Sequence, residues 1–314
     1  MGLFSRTTQS AGWMALNFQP EGISIAHVVR HANALPEVTQ CVLSAGNASD
    51  ASALEKLGKE AHISRYRCTT LLNPTEYQML VVEAPNVPPD ELKTAMRWRI
   101  KDMLDYHIDD ATLDVLDIPP DKNAASRNHS MYAVAAPNQV IQKRIGLFEQ
   151  SKIQLGVIDV PEMAQRNIAN LVEKEGRGIA MLAFNSEGGL LTISAAGELY
   201  LSRRIEISLA QLMESSGAQQ VHFFERVALE LQRSFDHFDR QFHYVALSRL
   251  VLAPLPQKVL LKDYLATNLY VPVASLNLET LLDFSNTPEL KQLDRQALHF
   301  HTLGAALRLE EKIL

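Results

Sequence analysis

Short apolar segments separated by glycine-containing turns dominate the middle of the chain. Between Ile179 and Ile205, three apolar segments alternate with turn sequences that contain Gly188, Gly189 and Gly197. Apolar segments of this length, broken by turns of this kind, are typical of β-strands joined by tight connections. The pattern therefore predicts a three-stranded meander.

The same pattern opens the chain. Apolar segments at Trp13–Phe18, Ile23–Val29 and Glu37–Leu43 accompany the turn at Gln19–Gly22. In both places, segments with helical periodicity and further short strands follow. This repetition predicts an α/β fold built from two similar lobes that face each other.

Several helices have recognisable boundaries. Asp50 is a predicted N-cap, and Pro161 is predicted to begin a helix that extends to Glu175. Pro89 precedes another helix, whose predicted buried stripe consists of Leu92, Met96, Ile100 and Met103. The chain is predicted to close with an amphipathic helix over about Arg295–Lys312.

Composition narrows the class of protein. The 314 residues carry a net charge of −6, which gives no reason to expect a nucleic-acid partner. The two cysteines, Cys41 and Cys68, are too few for a disulfide framework and favour a reducing compartment. No apolar run reaches the roughly twenty residues of a membrane helix. We therefore expect a cytoplasmic protein that reaches a membrane only through partners.

Six segments carry a resemblance to a known family: MGLFSR, LLNPTEYQMLVVEAPNVPPDELKTAMRWRIKDML, LDVLDIPPDKNAASRNHSMYAVAAPNQVIQKRIGLFEQSKIQLGVIDVPEMAQRNIA, GELYLSRRIEI, ELQRSFDHF and GAALRL. Their order resembles that of the type IV pilus assembly protein PilM family, and within it the MSHA pilus group. The resemblance implies a two-lobed actin-like ATPase fold with a small subdomain inserted in the first lobe. The implied division is 1–76 for the start of the first lobe, 77–155 for the inserted subdomain, 156–178 for a first-lobe helix, 179–293 for the second lobe and 294–314 for a C-terminal helix returning to the first lobe.

The resemblance also locates a nucleotide site at the turns of the two meanders, where the family carries aspartate and glycine. Asn17 stands at the aspartate position of the first turn, and Pro20 removes a backbone N–H there. The second turn retains Gly188 and Gly189 but has Asn185 in place of aspartate. Both turns thus lack the expected carboxylate.

The adenosine side of the same site is altered as well. Pro254 and Pro256 replace the expected glycines, whereas Glu230, Arg233 and Ser234 match the family. Two interpretations stay open: these turns only close hairpins, or the site binds ATP and magnesium without turnover. Neither interpretation assigns a catalytic residue, and histidine spacing gives no zinc site.

Trp98 lies on the opposite side of its predicted helix from the apolar stripe, on a face shared with Arg97 and Arg99. It either packs beneath the predicted loop Pro119–His129 or forms a partner-binding surface with the two arginines. Tryptophan and arginine are enriched at interface hot spots. The second interpretation therefore predicts a docking site.

The resemblance implies a cytoplasmic scaffold at the inner face of the inner membrane. Its expected partner is the cytoplasmic tail of a PilN-like inner-membrane pilus protein, with the pilus assembly ATPase as a possible second partner. One alternative is an active ATPase or small-molecule kinase on the same fold. Another is the cytoplasmic part of a GspL-like type II secretion protein.

Overall fold

A computed structural model describes residues 11–45, 50–121, 130–174, 176–214, 217–256 and 259–309. The first part of the chain contains β1 (Trp13–Gln19), β2 (Gly22–Val29), β3 (Glu37–Ser44), α1 (Ala51–Glu60), β4 (Arg67–Leu71), β5 (Gln78–Glu83), α2 (Leu92–Ile100), β6 (Ala111–Asp117), β7 (Ser130–Pro137), α3 (Asn138–Gln150), β8 (Leu155–Asp159) and α4 (Pro161–Ala169). The second part contains β9 (Gly178–Phe184), β10 (Gly189–Ala195), β11 (Glu198–Ile205), α5 (Leu209–Glu214), α6 (Ala218–Gln241), β12 (Leu247–Leu252), α7 (Leu261–Asn268), β13 (Val273–Ser275) and α8 (Leu293–Ala306).

The two lobes have the same sheet topology. The strand order is β3-β2-β1-β4-β8 in the first lobe and β11-β10-β9-β12-β13 in the second. In each sheet the first three strands form an antiparallel meander, and the last two strands run parallel to its first strand. This duplication confirms the predicted two-lobed, actin-like α/β fold.

Strands β9 and β10 are buried along their whole length. Alternate residues of β9 point into different cores: Leu182 contacts the α6 side, and Met181 contacts the side of α4 and α8. A strand covered on both faces needs apolar residues at successive positions. That requirement explains why this stretch reads as a continuous apolar run.

Helices α4 and α8 lie between the two sheets. Helix α8 packs on α4 and on strands β1 and β2 of the first lobe. Ile168 of α4 and Phe300 of α8 share a core with Met181 of the second lobe. The Asn167 side-chain N–H also donates to the Gly304 carbonyl oxygen at 3.0 Å. The two helices therefore connect the lobes.

A third, antiparallel sheet with the order β5-β7-β6 is inserted between β4 and β8. Met96 and Ile100 of α2 cover one face of this sheet. On the other side, the Tyr132 hydroxyl donates to the Tyr200 carbonyl oxygen of β11 at 3.1 Å. The inserted sheet thus contacts the second lobe, while the predicted boundaries at 77 and 155 stay a prediction.

Two helices end earlier than predicted. Helix α4 ends at Ala169 because the Glu173 carboxylate accepts hydrogen bonds from the Ser194 hydroxyl (2.7 Å) and the Gly197 N–H (2.9 Å), which hold the following segment against the second meander. Helix α2 ends at Ile100, and Met103 is consequently 45% exposed rather than part of the buried stripe.

The closing helix differs from its prediction at both ends, since α8 extends from Leu293 to Ala306. Residues 310–314, which the prediction included in part, lie outside the described residues. Within the ranges that the structure describes, no helix combines the length and the apolar character needed to cross a membrane.

Candidate functional site

A cleft of about 500 Å³ lies between the lobes. Its rim consists of the turn between β1 and β2 and the turn between β9 and β10, and α8 forms one wall. Most of the lining is apolar, with contributions from Phe18, Leu72, Pro74, Phe184, Leu209, Pro254, Pro256, Leu298 and Phe300. This position between two meander turns corresponds to the predicted nucleotide site.

The first turn is fastened to α8. Gln19 pairs with Gly22, which leaves Pro20 and Glu21 as the two turn residues. The Gln19 side-chain N–H donates to the Leu298 carbonyl oxygen at 3.1 Å. Asn17, 9% exposed, lines the cleft as predicted from its place in the chain. Pro20 supplies no N–H, so this turn is poorly equipped to hold a phosphate.

In the second turn, backbone N–H groups are hydrogen-bonded by groups of the turn itself. Oδ1 of Asn185 accepts hydrogen bonds from the backbone N–H groups of Glu187 (2.9 Å) and Gly188 (3.1 Å). The Asn185 backbone N–H in turn donates to the Gly188 carbonyl oxygen at 2.9 Å. An incoming phosphate would have to displace the Asn185 side chain to reach those N–H groups.

Packing explains the two glycines of the second turn. Gly188 has a φ of +145°, and a Cβ there would lie 2.8 Å from the Ile205 carbonyl oxygen. A Cβ on Gly189 would lie 2.7 Å from Cε1 of Phe184. Neither glycine is among the described residues that line the cleft. These close contacts within the fold account for both glycines, and no bound ligand is needed to explain them.

The three predicted adenosine-side residues on α6 lie outside the cleft lining. The Glu230 carboxylate pairs with Arg233 at 3.0 Å and with Arg203 at 3.8 Å. The buried Ser234 hydroxyl donates to the Glu230 carbonyl oxygen at 2.6 Å. The structure thus brings Asn17 and Asn185 to the cleft and uses the α6 residues for contacts within the second lobe.

The charges around the cleft are acidic. Glu21, Glu187 and Asp294 line it, and no lysine or arginine does so among the residues that the structure describes. Burial raises the pKa of Glu187; the positive charge of Arg204 opposes this rise, and the charges of Glu76 and Glu21 add to it. Burial also lowers the pKa of His301 to about 4, which leaves its ring neutral near pH 7.

These groups do not fit a magnesium nucleotide. A triphosphate needs free N–H donors or cationic side chains, whereas Asn185 occupies the second turn and the described charges of the lining are negative. No group of three or more histidine, cysteine or acidic residues is placed to hold a metal ion within the described ranges. We therefore expect weak or absent ATP binding.

The polar contacts that α4 makes are not among the predicted site contacts. The Gln165 side-chain N–H donates to the carbonyl oxygens of Met181 (2.7 Å) and Leu190 (3.1 Å) in the second lobe. Glu162, 1% exposed, accepts a hydrogen bond from the Tyr77 hydroxyl. The spacing of Glu162 and Gln165, one helical turn apart, was the available signal.

Trp98 is 69% exposed in the structure. Its packing beneath the predicted loop Pro119–His129 stays a prediction, because residues 122–129 lie outside the described residues. Arg97 is less available than predicted, because its guanidinium donates to the carbonyl oxygens of Ala111 (2.9 Å) and Ile108 (2.6 Å). We call the exposed face of Trp98, Arg97 and Arg99 the α2 surface.

Comparisons with known proteins bear on the fold. No protein-family model and no curated protein matches the chain. A chain of the solved PilM–PilN type IV pilus biogenesis complex matches with a TM-score of 0.72 and 18% identity, covering 95% of this chain and 98% of that chain.

Two further solved structures match less well. The cytoplasmic domain of EpsL, an inner membrane component of the type II secretion system of Vibrio cholerae, has a TM-score of 0.48 and 14% identity over 79% of this chain and 84% of its own. A Bacteroides thetaiotaomicron protein with an actin-like ATPase fold has a TM-score of 0.49 and 11% identity over 93% and 99%. The likeness to the pilus complex shows that this chain shares a fold, over nearly its whole length, with a component of a type IV pilus machine.

Proposed function

We propose that the chain is a cytoplasmic scaffold of a type IV pilus assembly machine, of the MSHA type and similar to MshI. It binds the cytoplasmic tail of a PilN-like inner-membrane protein and lacks robust ATPase activity. The full-length likeness to a chain of the PilM–PilN complex carries this proposal. That likeness covers 95% of this chain and 98% of the other chain.

The chemistry of the cleft supports the non-catalytic part. Phosphoryl transfer depends on positioned cations and N–H donors around the phosphates. Here Asn185 occupies the N–H groups of the second turn, and Glu21, Glu187 and Asp294 place negative charge around the cleft. The protein therefore acts through binding rather than through turnover.

The α2 surface is the proposed docking site. A flexible tail loses conformational freedom on binding, so a few good anchors must offset that cost. Trp98 is such an anchor, because 69% of it is exposed and the Lys101 ammonium lies 5.7 Å from its ring centroid. Arg99 lies 3.9 Å from Glu83 at the end of β5, so this surface adjoins that strand.

Strand β5 offers a backbone edge to the same peptide. It lies at the edge of the order β5-β7-β6, and its outer side has no paired strand in the described part of the chain. Val81 of this strand is 49% exposed. An extended tail could add to β5 through backbone hydrogen bonds while a side chain packs on Trp98. The pilus assembly ATPase is the proposed second partner.

Cell fractionation tests the proposal. The full chain is produced in cells with and without the PilN-like protein, and membranes are separated from the soluble fraction. The chain should accompany the membranes only when the partner is present with its cytoplasmic tail intact. If the chain divides between membrane and soluble fractions in the same way with and without the partner, the proposal is contradicted. Steady phosphate release by the purified chain would instead favour the alternative of an active ATPase or small-molecule kinase.

A further inference from the structure

The cleft between the lobes has the size of a small-molecule site. Its volume of about 500 Å³ lies within the range of roughly 300–1,000 Å³ that is usual for ligand pockets. Phe184, Leu298 and Phe300 contribute to its apolar walls. Such walls can bury the body of an organic ligand, and the polar groups inside the cleft then determine which class of ligand fits.

Asn17 brings an unpaired amide into this cleft. The residue lines the cleft and is only 9% exposed, and its side chain forms no hydrogen bond with the described part of the chain. The amide keeps some accessible surface, which the enclosed Oε1 of Gln19 does not. N–H and carbonyl groups that are shielded from water and left unpaired cost free energy, which a ligand with matching groups would recover.

The alternation of side chains along β1 gives the direction of this amide. Leu16 belongs to the core on the face of β1 away from α8, whereas Ala15 shares a core with residues of α8. Asn17 lies on the face of Ala15, because residues two apart in a strand point the same way. Ser24, which pairs with Asn17 in the adjacent strand, lies 2.8 Å from Nδ1 of His299 in α8. The amide therefore points towards the cleft wall that α8 forms.

The groups around Asn17 favour a ligand without charge. His301 lines the same cleft, and burial lowers its pKa to about 4, so its ring is neutral near pH 7. No lysine or arginine lines the described part of the cleft, so an anion would find no counter-charge there. The carboxylates of Glu21, Glu187 and Asp294 are exposed to water, which screens their attraction for a cation.

We propose that the cleft binds a small uncharged molecule that carries an amide group on an aromatic body. The side-chain N–H of Asn17 donates to the ligand carbonyl oxygen, and the Asn17 carbonyl oxygen accepts from the ligand N–H. The aromatic body packs between Phe184 and Leu298. This site is separate from the α2 surface, and it does not depend on the proposed pilus partner.

Titration of the full chain with three probes of the same shape tests the selectivity: 2-naphthamide, 2-naphthoate and 2-naphthamidine. Near neutral pH these probes are uncharged, negative and positive on one aromatic body. Ligand-observed NMR or calorimetry should give an affinity for the amide at least about tenfold higher than for either charged probe. Nuclear Overhauser effects between the naphthyl protons and the Phe184 ring should locate the bound amide in the cleft.

Asn17→Leu tests the hydrogen-bonding group, because leucine has nearly the same size and no polar side-chain atom. Affinity for 2-naphthamide should fall about tenfold or more. Removing an unpaired buried amide should leave the melting temperature no lower than that of the wild type. Asn268→Leu is the matched control, since Asn268 is exposed on α7 and is not among the described residues that line the cleft. This control should keep the wild-type affinity.

Several results would overturn the proposal. Equal affinities for the three probes would show that the cleft does not select an uncharged ligand, and an affinity unchanged by Asn17→Leu would show that its amide takes no part. Overhauser effects confined to residues outside the cleft would place the ligand elsewhere. They are measured in the wild-type chain, so they decide the location even if Asn17→Leu lowers stability. Absence of 2-naphthamide binding at millimolar concentration would overturn the proposal as well.

Discussion

Gly304 in α8 lies against the carbonyl oxygen of Ala164 in α4, and a Cβ at position 304 would overlap that oxygen. The close approach lets the two helices cross between the lobes with their backbones nearly touching. Any larger residue must push α8 away from α4, and with it the wall of the cleft. The contact therefore couples the packing of the lobes to the shape of the site.

We expect Gly304→Ala to lower the free energy of unfolding by about 1–3 kcal/mol or more, the usual cost of overpacking a core. Urea denaturation measures this change. Gly146→Ala in α3 is the matched control, since its added Cβ meets nothing within 4 Å. A helical Gly→Ala change in open space should raise stability by about 0.5–1 kcal/mol. Equal unfolding midpoints for both variants would show that the helices are not in close contact.

Stability should fall in mild acid. Burial lowers the pKa of His299 and of His301 to about 4, whereas an unfolded histidine titrates near about 6.5. Between these values the unfolded chain binds protons that the folded chain does not. Lowering the pH through this window should therefore remove up to about 3 kcal/mol of stability per ring.

The matched variants for this effect are His301→Gln and His237→Gln, since the His237 ring is exposed. Denaturation curves between pH 7 and 4 should show a shallower loss of stability for His301→Gln and an unchanged loss for His237→Gln. If His301→Gln keeps the wild-type slope, the ring is not held neutral in the folded chain.

ATP should bind weakly or not at all, with no hydrolysis above background. The reason is that Asn185 occupies the second turn and the described charges of the cleft are acidic. Calorimetry with ATP and magnesium, followed by a phosphate-release assay, measures both. Micromolar binding that Glu230→Ala or Arg233→Ala abolishes would restore the predicted nucleotide site. If ATP still binds to both variants, its binding site must lie elsewhere in the protein.

Trp98→Ala should weaken binding of the partner tail by about 1–3 kcal/mol, the usual range for an aromatic anchor. Because Trp98 is 69% exposed, the melting temperature should stay close to that of the wild type. Arg99→Glu should mainly slow association and change its salt dependence. Arg97→Glu should also lower stability, because Arg97 donates to two backbone carbonyl groups. A Trp98→Ala variant that melts early but binds normally would contradict this assignment.

Much of the fold could be predicted from local pattern. The meanders follow from apolar segments around Gly22 and Gly188, and α4 begins at Pro161 as its fixed φ suggests. These signals are local, since a turn or a helix start depends on a few neighbouring residues. The end of α4 depends instead on Glu173 meeting Ser194, a contact that no local pattern contains.

The site was harder to predict for the same reason. Asn185 is visible in the sequence as a departure from the expected aspartate, but its bonds to the Glu187 and Gly188 N–H groups depend on the geometry of the folded turn. Glu230 matched the family in sequence, yet its carboxylate pairs with arginines away from the cleft lining. Which face of a long helix meets a cleft depends on packing between lobes, and periodicity does not determine it.

The most direct test of the scaffold function is a calorimetric titration of the full chain with a synthetic peptide of the PilN-like partner's cytoplasmic tail. We predict saturable binding of one peptide per chain, unchanged by ATP and magnesium and weakened by Trp98→Ala. The account would be contradicted if the folded chain does not bind the peptide at any accessible concentration and hydrolyses ATP steadily.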